Sequence, residues 1–177
     1  MIALQAATYQ QAAADLTDAS GHYDIHLDAG SYKLAFYDPT SDHQMEWYDN
    51  QPASGLGSAT SVTAVVGTPT TTNVELTPST GTIAGTVTET GSGDPLDATL
   101  VVAISTTGTI TGAVVTAGDG TYTMDGLKAG SHRLRFLDPT GAHVSEYYDG
   151  SATSGGATAV GVDGGTTTSG IDAALST

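Results

Sequence analysis

Apolar and polar residues alternate along this chain in short runs bounded by Gly, Pro, Asp or Asn, the pattern of half-buried strands. Residues 131–136 show it most clearly, with His132, Leu134 and Phe136 on one face of an extended segment and Arg133 and Arg135 on the other. One hundred residues earlier, Tyr32, Leu34 and Phe36 face one way while Lys33, Ala35 and Tyr37 face the other. Ile83, Gly85 and Val87 share a face of a further predicted strand, and Leu100, Val102 and Ile104 share a face of the next. Residues 3–14 are rich in Ala and Gln and have a helix-like composition, but they align with the strand segment 100–115 and are read as strand. Ser-Gly at 20–21, Asp-Gly at 119–120 and Asp-Pro-Thr at 38–40 and 138–140 supply turns between strands. About seven short strands per hundred residues predict an all-β chain built as an antiparallel sandwich.

The pattern also repeats. Residues 29–49 and 129–149 align without a gap and are identical at 12 of 21 positions. The likeness extends upstream through Tyr23 and Tyr122, and downstream through Val74 and Ile171. The chain therefore divides into two tandem sandwich domains, residues 1–77 and 78–177, joined at the turn-prone Thr77-Pro78-Ser79-Thr80. The counterpart of Gly81-Thr82-Ile83-Ala84-Gly85-Thr86-Val87-Thr88-Glu89, the opening strand of the second domain, falls before Met1, so the first domain is expected to lack that strand. Two readings follow: the chain is a fragment of a longer array, or a neighbouring chain supplies the strand.

Composition narrows the partners. Four Lys+Arg against 19 Asp+Glu give a net charge of −15. Such a chain is repelled by phosphate backbones and anionic membrane surfaces, which argues against nucleic acid, and no apolar run reaches the roughly 20 residues that span a bilayer. The charge is shared between the domains, nine acids and one Lys in residues 1–77, ten acids and three bases in 78–177. The absence of Cys removes disulfides, thiolate metal sites and a Cys nucleophile.

The stretch Gly118-Asp119-Gly120-Thr121-Tyr122-Thr123-Met124-Asp125-Gly126-Leu127-Lys128-Ala129-Gly130-Ser131-His132-Arg133-Leu134-Arg135-Phe136 resembles the core of carboxypeptidase regulatory-like domains, which are similar in turn to the B-type repeats of Gram-positive surface adhesins. The opening Gly81-Thr82-Ile83-Ala84-Gly85-Thr86-Val87, followed by Asp94-Pro95-Leu96-Asp97-Ala98, resembles the start of that family, with Asp97 where the family has Gly. The resemblance covers nearly all of the second domain and most of the first. It implies an Ig-like or prealbumin-like (transthyretin-like) β-sandwich, and an accessory or stalk module of a secreted or cell-surface bacterial protein. Extracellular location rests on that resemblance alone, because Met1-Ile2-Ala3-Leu4 carries neither the charged nor the long apolar region of a secretion signal.

Candidate chemistry is sparse. Asp38, His43, Glu46 and Asp49 recur with identical spacing as Asp138, His143, Glu146 and Asp149, and His with carboxylates is the donor set of a divalent cation or an acid/base pair. Asp before Pro-Thr is also ordinary turn chemistry, and repetition follows from duplication of the whole domain. Asp15, Asp18, Ser20 and Asp24 lack the EF-hand spacing and its Glu at position 12. No Gly-x-Ser-x-Gly elbow occurs, and Gly155-Gly156 and Gly164-Gly165 lack the Gly-Lys-Ser/Thr of a phosphate loop. The Lys–Asn cross-link of some adhesin repeats has no candidate in the second domain, whose only Lys is Lys128 and which contains no Asn. No cofactor is expected. The pairs Trp47-Tyr48 and Tyr147-Tyr148 are the candidate ligand-binding residues, since in each pair one ring can fill the core while the other stays exposed to stack on a sugar or a neighbouring domain.

These features predict a non-catalytic structural or adhesive module. Its expected partners are neighbouring domains of the same or an identical chain, with a glycan or surface protein as further partners. Two alternatives stand beside it: a carbohydrate- or protein-binding module using exposed aromatics, and an extracellular fibre subunit completed by strand donation.

Overall fold

The turn residues set the strand lengths in the computed structural model, which describes residues 1–177. The chain separates into two compact units, Met1–Pro78 and Ser79–Thr177. Both are all-β.

In unit 1, β1 (Ile2–Gln5) and β2 (Gln11–Ala14) form a hairpin, so the Ala/Gln-rich stretch is extended. The centre is β3 (Gly30–Phe36), which pairs antiparallel with β1, with β4 (Glu46–Trp47) and with β6 (Val62–Ala64). The short β5 (Gln51–Pro52) pairs with β4. Strand β3 keeps the predicted alternation, but both of its faces are covered. Tyr32, Leu34 and Phe36 join Met1 and Ala3 in one cluster. On the opposite face Ala35 packs with Trp47 and Ala59, backed by Ile2, Leu4, Met45 and Leu56. Lys33 shares that second face and is buried there, while Tyr37, just past the strand, is exposed.

Unit 2 has two facing sheets. One contains β7 (Thr80–Glu89), flanked by β10 (Thr121–Lys128) on one side and by β14 (Thr167–Thr168) and β15 (Ala173–Leu175) on the other. The other is ordered β12-β11-β8-β9, from β8 (Leu100–Ser105), β9 (Ile110–Val115), β11 (Gly130–Leu137) and β12 (Glu146–Tyr147), with β13 (Val160–Val162) also on β11. Every pairing is antiparallel except those of β14 and β15, which run parallel to β7. Ile83, Val87, Tyr122, Met124, Leu127, Ile171 and Leu175 from the first sheet meet Val101, Ala103, Leu134, Phe136, Val160 and Val162 from the second. At roughly 1.5–3 kcal/mol for each large side chain removed from water, this shared core supplies most of the drive to fold.

Strand β8 decides between two apolar faces. Leu100, Val102 and Ile104 do share a face, but it is the partly exposed one, and Val101 and Ala103 are fully buried. The run Leu-Val-Val-Ala-Ile is apolar on both sides, so alternation cannot choose the inner face. Pairing with β11 chooses it, setting Ala103 opposite Leu134 and Val101 opposite Phe136.

Two glycines make the β7 sheet possible. A Cβ on Gly85 would lie 2.1 Å from the Ile171 carbonyl oxygen, and the φ of +76° at Gly120 is a left-handed turn pressed against the Val87 carbonyl. In residues 1–78 no strand holds the position that β7 holds in unit 2. Residues 22–28 and 71–77 there alternate exposed and half-buried side chains but belong to no strand.

Candidate functional site

The repeated polar quartet is taken up by turn architecture. In the Asp38-Pro39-Thr40 turn the Asp38 carboxylate accepts from the Thr40 amide (2.8 Å) and hydroxyl (2.7 Å), and from the His43 amide (3.1 Å), and lies 2.9 Å from His43 Nδ1. Asp138 repeats every bond with Thr140 and His143, its Oδ2 lying 2.8 Å from Nδ1. This hydrogen bonding holds both aspartates well below the ordinary carboxylate range, Asp38 chiefly through His43 and Asp138 chiefly through the Thr140 hydroxyl. Asp49 and Asp149 instead accept from the Thr60 and Thr158 hydroxyls, at 2.8 and 2.9 Å. Glu46 is buried and accepts from the Thr77 amide (3.0 Å), whereas Glu146 is half-buried, and desolvation raises its pKa. The quartet does not converge, and no three His, Asp or Glu side chains come together as metal ligands anywhere in the chain. The acids of residues 15–24 are likewise loop staples, Asp18 accepting from the Ser20 and His22 amides and Asp15 from those of Leu16 and Asp24.

The aromatic pairs are placed differently from the expectation of one exposed ring. Tyr48 and Tyr148 turn toward the core side, each amide donating to the carbonyl of Leu34 or Leu134. Trp47 lies on the opposite face of its sheet but is only 6% exposed, its indole N–H donating to the Ala53 carbonyl at 3.1 Å. Tyr147, partly exposed, is covered by Arg135, whose guanidinium carbon is 5.6 Å from the ring centroid. The cross-strand partners explain the difference. Trp47 faces Ala35 and can sink against the sheet, whereas Tyr147 faces Arg135, which lies over it. No face therefore presents Trp47 to a sugar. The exposed rings are Tyr9 and Tyr37, which the sequence reading did not single out.

Two features escaped the sequence. Lys33, the one cation of unit 1 apart from histidines and the N-terminus, is buried with its ammonium donating to the Ala59 carbonyl. Strand alternation put it on the face opposite Leu34 but did not tell that this face is covered. The second is a pair of clefts in unit 1, of about 530 and 680 Å³. They meet at Tyr23 and Thr72, where the Tyr23 hydroxyl donates to the Thr72 carbonyl at 2.7 Å. The equivalent Tyr122 in unit 2 donates to the Ile171 carbonyl at 2.6 Å, and burial raises its pKa strongly. The alignment of Tyr23 with Tyr122 was the available signal.

Neither family models nor curated proteins give a match to the chain. Among solved structures, the Bacillus anthracis TIE protein is similar over 99% of this chain, with 11% identity and a TM-score of 0.52. A streptococcal ancillary pilin aligns over the same share of the chain with 16% identity and a TM-score of 0.40. The chain spans 30% of the first protein's length and 56% of the second's. The TIE protein likeness places this chain among β-sandwich folds of the kind found in that protein.

Proposed function

We propose that the chain is a non-catalytic structural module, a tandem β-sandwich spacer or stalk of a secreted or cell-surface bacterial protein, of the carboxypeptidase regulatory-like type. The observation that carries this reading is the fate of the repeated polar group. Asp38, Thr40 and His43, and Asp138, Thr140 and His143, satisfy one another within a turn in both units, and no three His, Asp or Glu side chains gather as metal ligands. Strands set into a shared core suit a load-bearing element. The extracellular setting and the family rest on the motifs around Gly81 and Gly118.

Pulling the 177-residue chain between terminal handles tests this role. Two discrete unfolding steps are expected, releasing roughly 25 and 33 nm of chain at about 3.5 Å per residue. A smooth extension without steps, or turnover of any substrate assigned to Asp38 or Asp138, would overturn it.

A further inference from the structure

We propose that unit 1 is a strand acceptor, whose open lane between residues 23–27 and 72–76 takes an extended segment from outside residues 1–177 with Gly-x-aliphatic-x-Gly-x-aliphatic spacing. Unit 2 shows what fills such a lane. There β7 lies between β10 and the β14/β15 edge, with Met124 opposite Ile83, Tyr122 opposite Gly85, and Ala173 alongside Val87. The repeat and its hydrogen bonds set Tyr23, Ile25 and Leu27 at the positions of Tyr122, Met124 and Leu127, and Val74 and Leu76 at those of Ala173 and Leu175. In unit 2 all five are buried; in unit 1 all five are only half-buried. Their neighbours Asp24, His26, Asn73 and Glu75 are exposed, so both edges keep the in-and-out order of strands without a strand between them.

The clefts mark where the missing side chains fit. The first, lined by Ile25, Leu27, Val62 and Ala64, lies where Ile83 would insert. The second, lined by Met1, Phe36, Val74 and Leu76, lies where Val87 would insert. Between them, at the Tyr23–Thr72 bond, a donated strand needs glycine, because in unit 2 the corresponding Tyr122–Ile171 bond leaves no room for a Cβ on Gly85. Charge agrees at the far end. His143 Nε2 is 3.8 Å from Glu89 of β7, whereas the equivalent His43 lines the open cleft and its side chain is 45% exposed.

The chain's own β7 cannot be the occupant. The lane runs parallel to residues 71–76, and only a few residues separate these from Thr80, where a parallel return needs about a dozen. A second copy offers only a β7 already buried in its own unit 2, one strand for two lanes. The donor is therefore a segment outside residues 1–177, added by β-augmentation.

The test titrates the full 177-residue chain with a fluorescein-labelled peptide of the β7 sequence, Thr-Gly-Thr-Ile-Ala-Gly-Thr-Val-Thr-Glu, and follows anisotropy and amide hydrogen exchange. Saturable binding is expected, with exchange in residues 23–27 and 72–76 slowed at least tenfold and exchange in β10 unchanged. A peptide carrying the change Gly85→Val should bind at least tenfold more weakly, as should the chain variant Ile25→Asp. Protection of β1 and β3 before peptide is added verifies that each variant folds. Absence of binding up to millimolar peptide, equal binding of a scrambled peptide, or protection of β10 through strand exchange would overturn the proposal. So would a concentration-dependent oligomer in which residues 23–27 are already protected, since a second copy would then be the occupant.

Discussion

Substituting Gly85 by Ala adds one methyl group at the most crowded backbone crossing of unit 2. The new Cβ would lie 2.1 Å from the Ile171 carbonyl oxygen, 2.6 Å from its carbon and 3.1 Å from the Tyr122 ring. Because two of those three atoms are backbone, rotamer changes cannot relieve the clash, and the β14/β15 edge must shift away from β7. Overpacking of this kind costs about 1–3 kcal/mol. The same shift breaks the buried Tyr122–Ile171 hydrogen bond, adding about 1–3 kcal/mol for an unsatisfied buried group. The expected loss is therefore about 2–6 kcal/mol, all of it in unit 2. Urea unfolding followed by residue-specific exchange or tyrosine fluorescence should lower the unit 2 midpoint by about 1–3 M, taking about 2 kcal/mol/M for a domain of this size. Gly161→Ala in β13 is the matched control, since its Cβ meets nothing within 4 Å, and a change of less than about 1 kcal/mol is expected there. If Gly85→Ala costs no more than Gly161→Ala, the close approach of Ile171 is not a constraint and the glycine requirement on the strand position fails with it.

Phe136→Ala, at a fully buried position, should cost about 3–5 kcal/mol and lower the unit 2 melting temperature by roughly 15–30 °C, while Phe36→Ala, beside an open cleft, should cost less; calorimetry showing the reverse order would refute the account of the two cores. Lys33→Met should leave unit 1 as stable as before or stabilise it in urea melts, because the buried ammonium has one carbonyl and no carboxylate to offset its desolvation. Asp38 and Asp138 have depressed folded pKa values, so their contribution is complete above the unfolded aspartate value near 4 and is lost as pH falls through the depressed ones. A carboxyl ¹³C titration should place both midpoints below that of a free aspartate peptide, and midpoints at or above it would refute the turn geometry.

Strands with one polar face were legible because their side chains state which way they point. His132, Leu134 and Phe136 were read correctly as one inward face. Strands apolar on both sides were not: in β8 the inner face depends on register against β11, a contact remote in sequence. Burial of Trp47 was hidden for a related reason, since it turns on the size of its cross-strand partner, Ala35 against Arg135 in the other unit. The turn role of the Asp–His quartet was partly visible, because Asp-Pro-Thr reads as a turn. Which oxygen bonds which hydroxyl was not.

The inward turn of Lys33 has an effect at long range. Unit 1 shows solvent no lysine or arginine at all, so its exposed acids repel one another with nothing but histidine and the N-terminus to offset them. Added salt, which weakens proteins braced by surface ion pairs, should here make unit 1 more stable, because the Debye length contracts from about 30 Å at 0.01 M to about 8 Å at 0.15 M. A domain built this way favours saline surroundings, and it would be loosest in pure water.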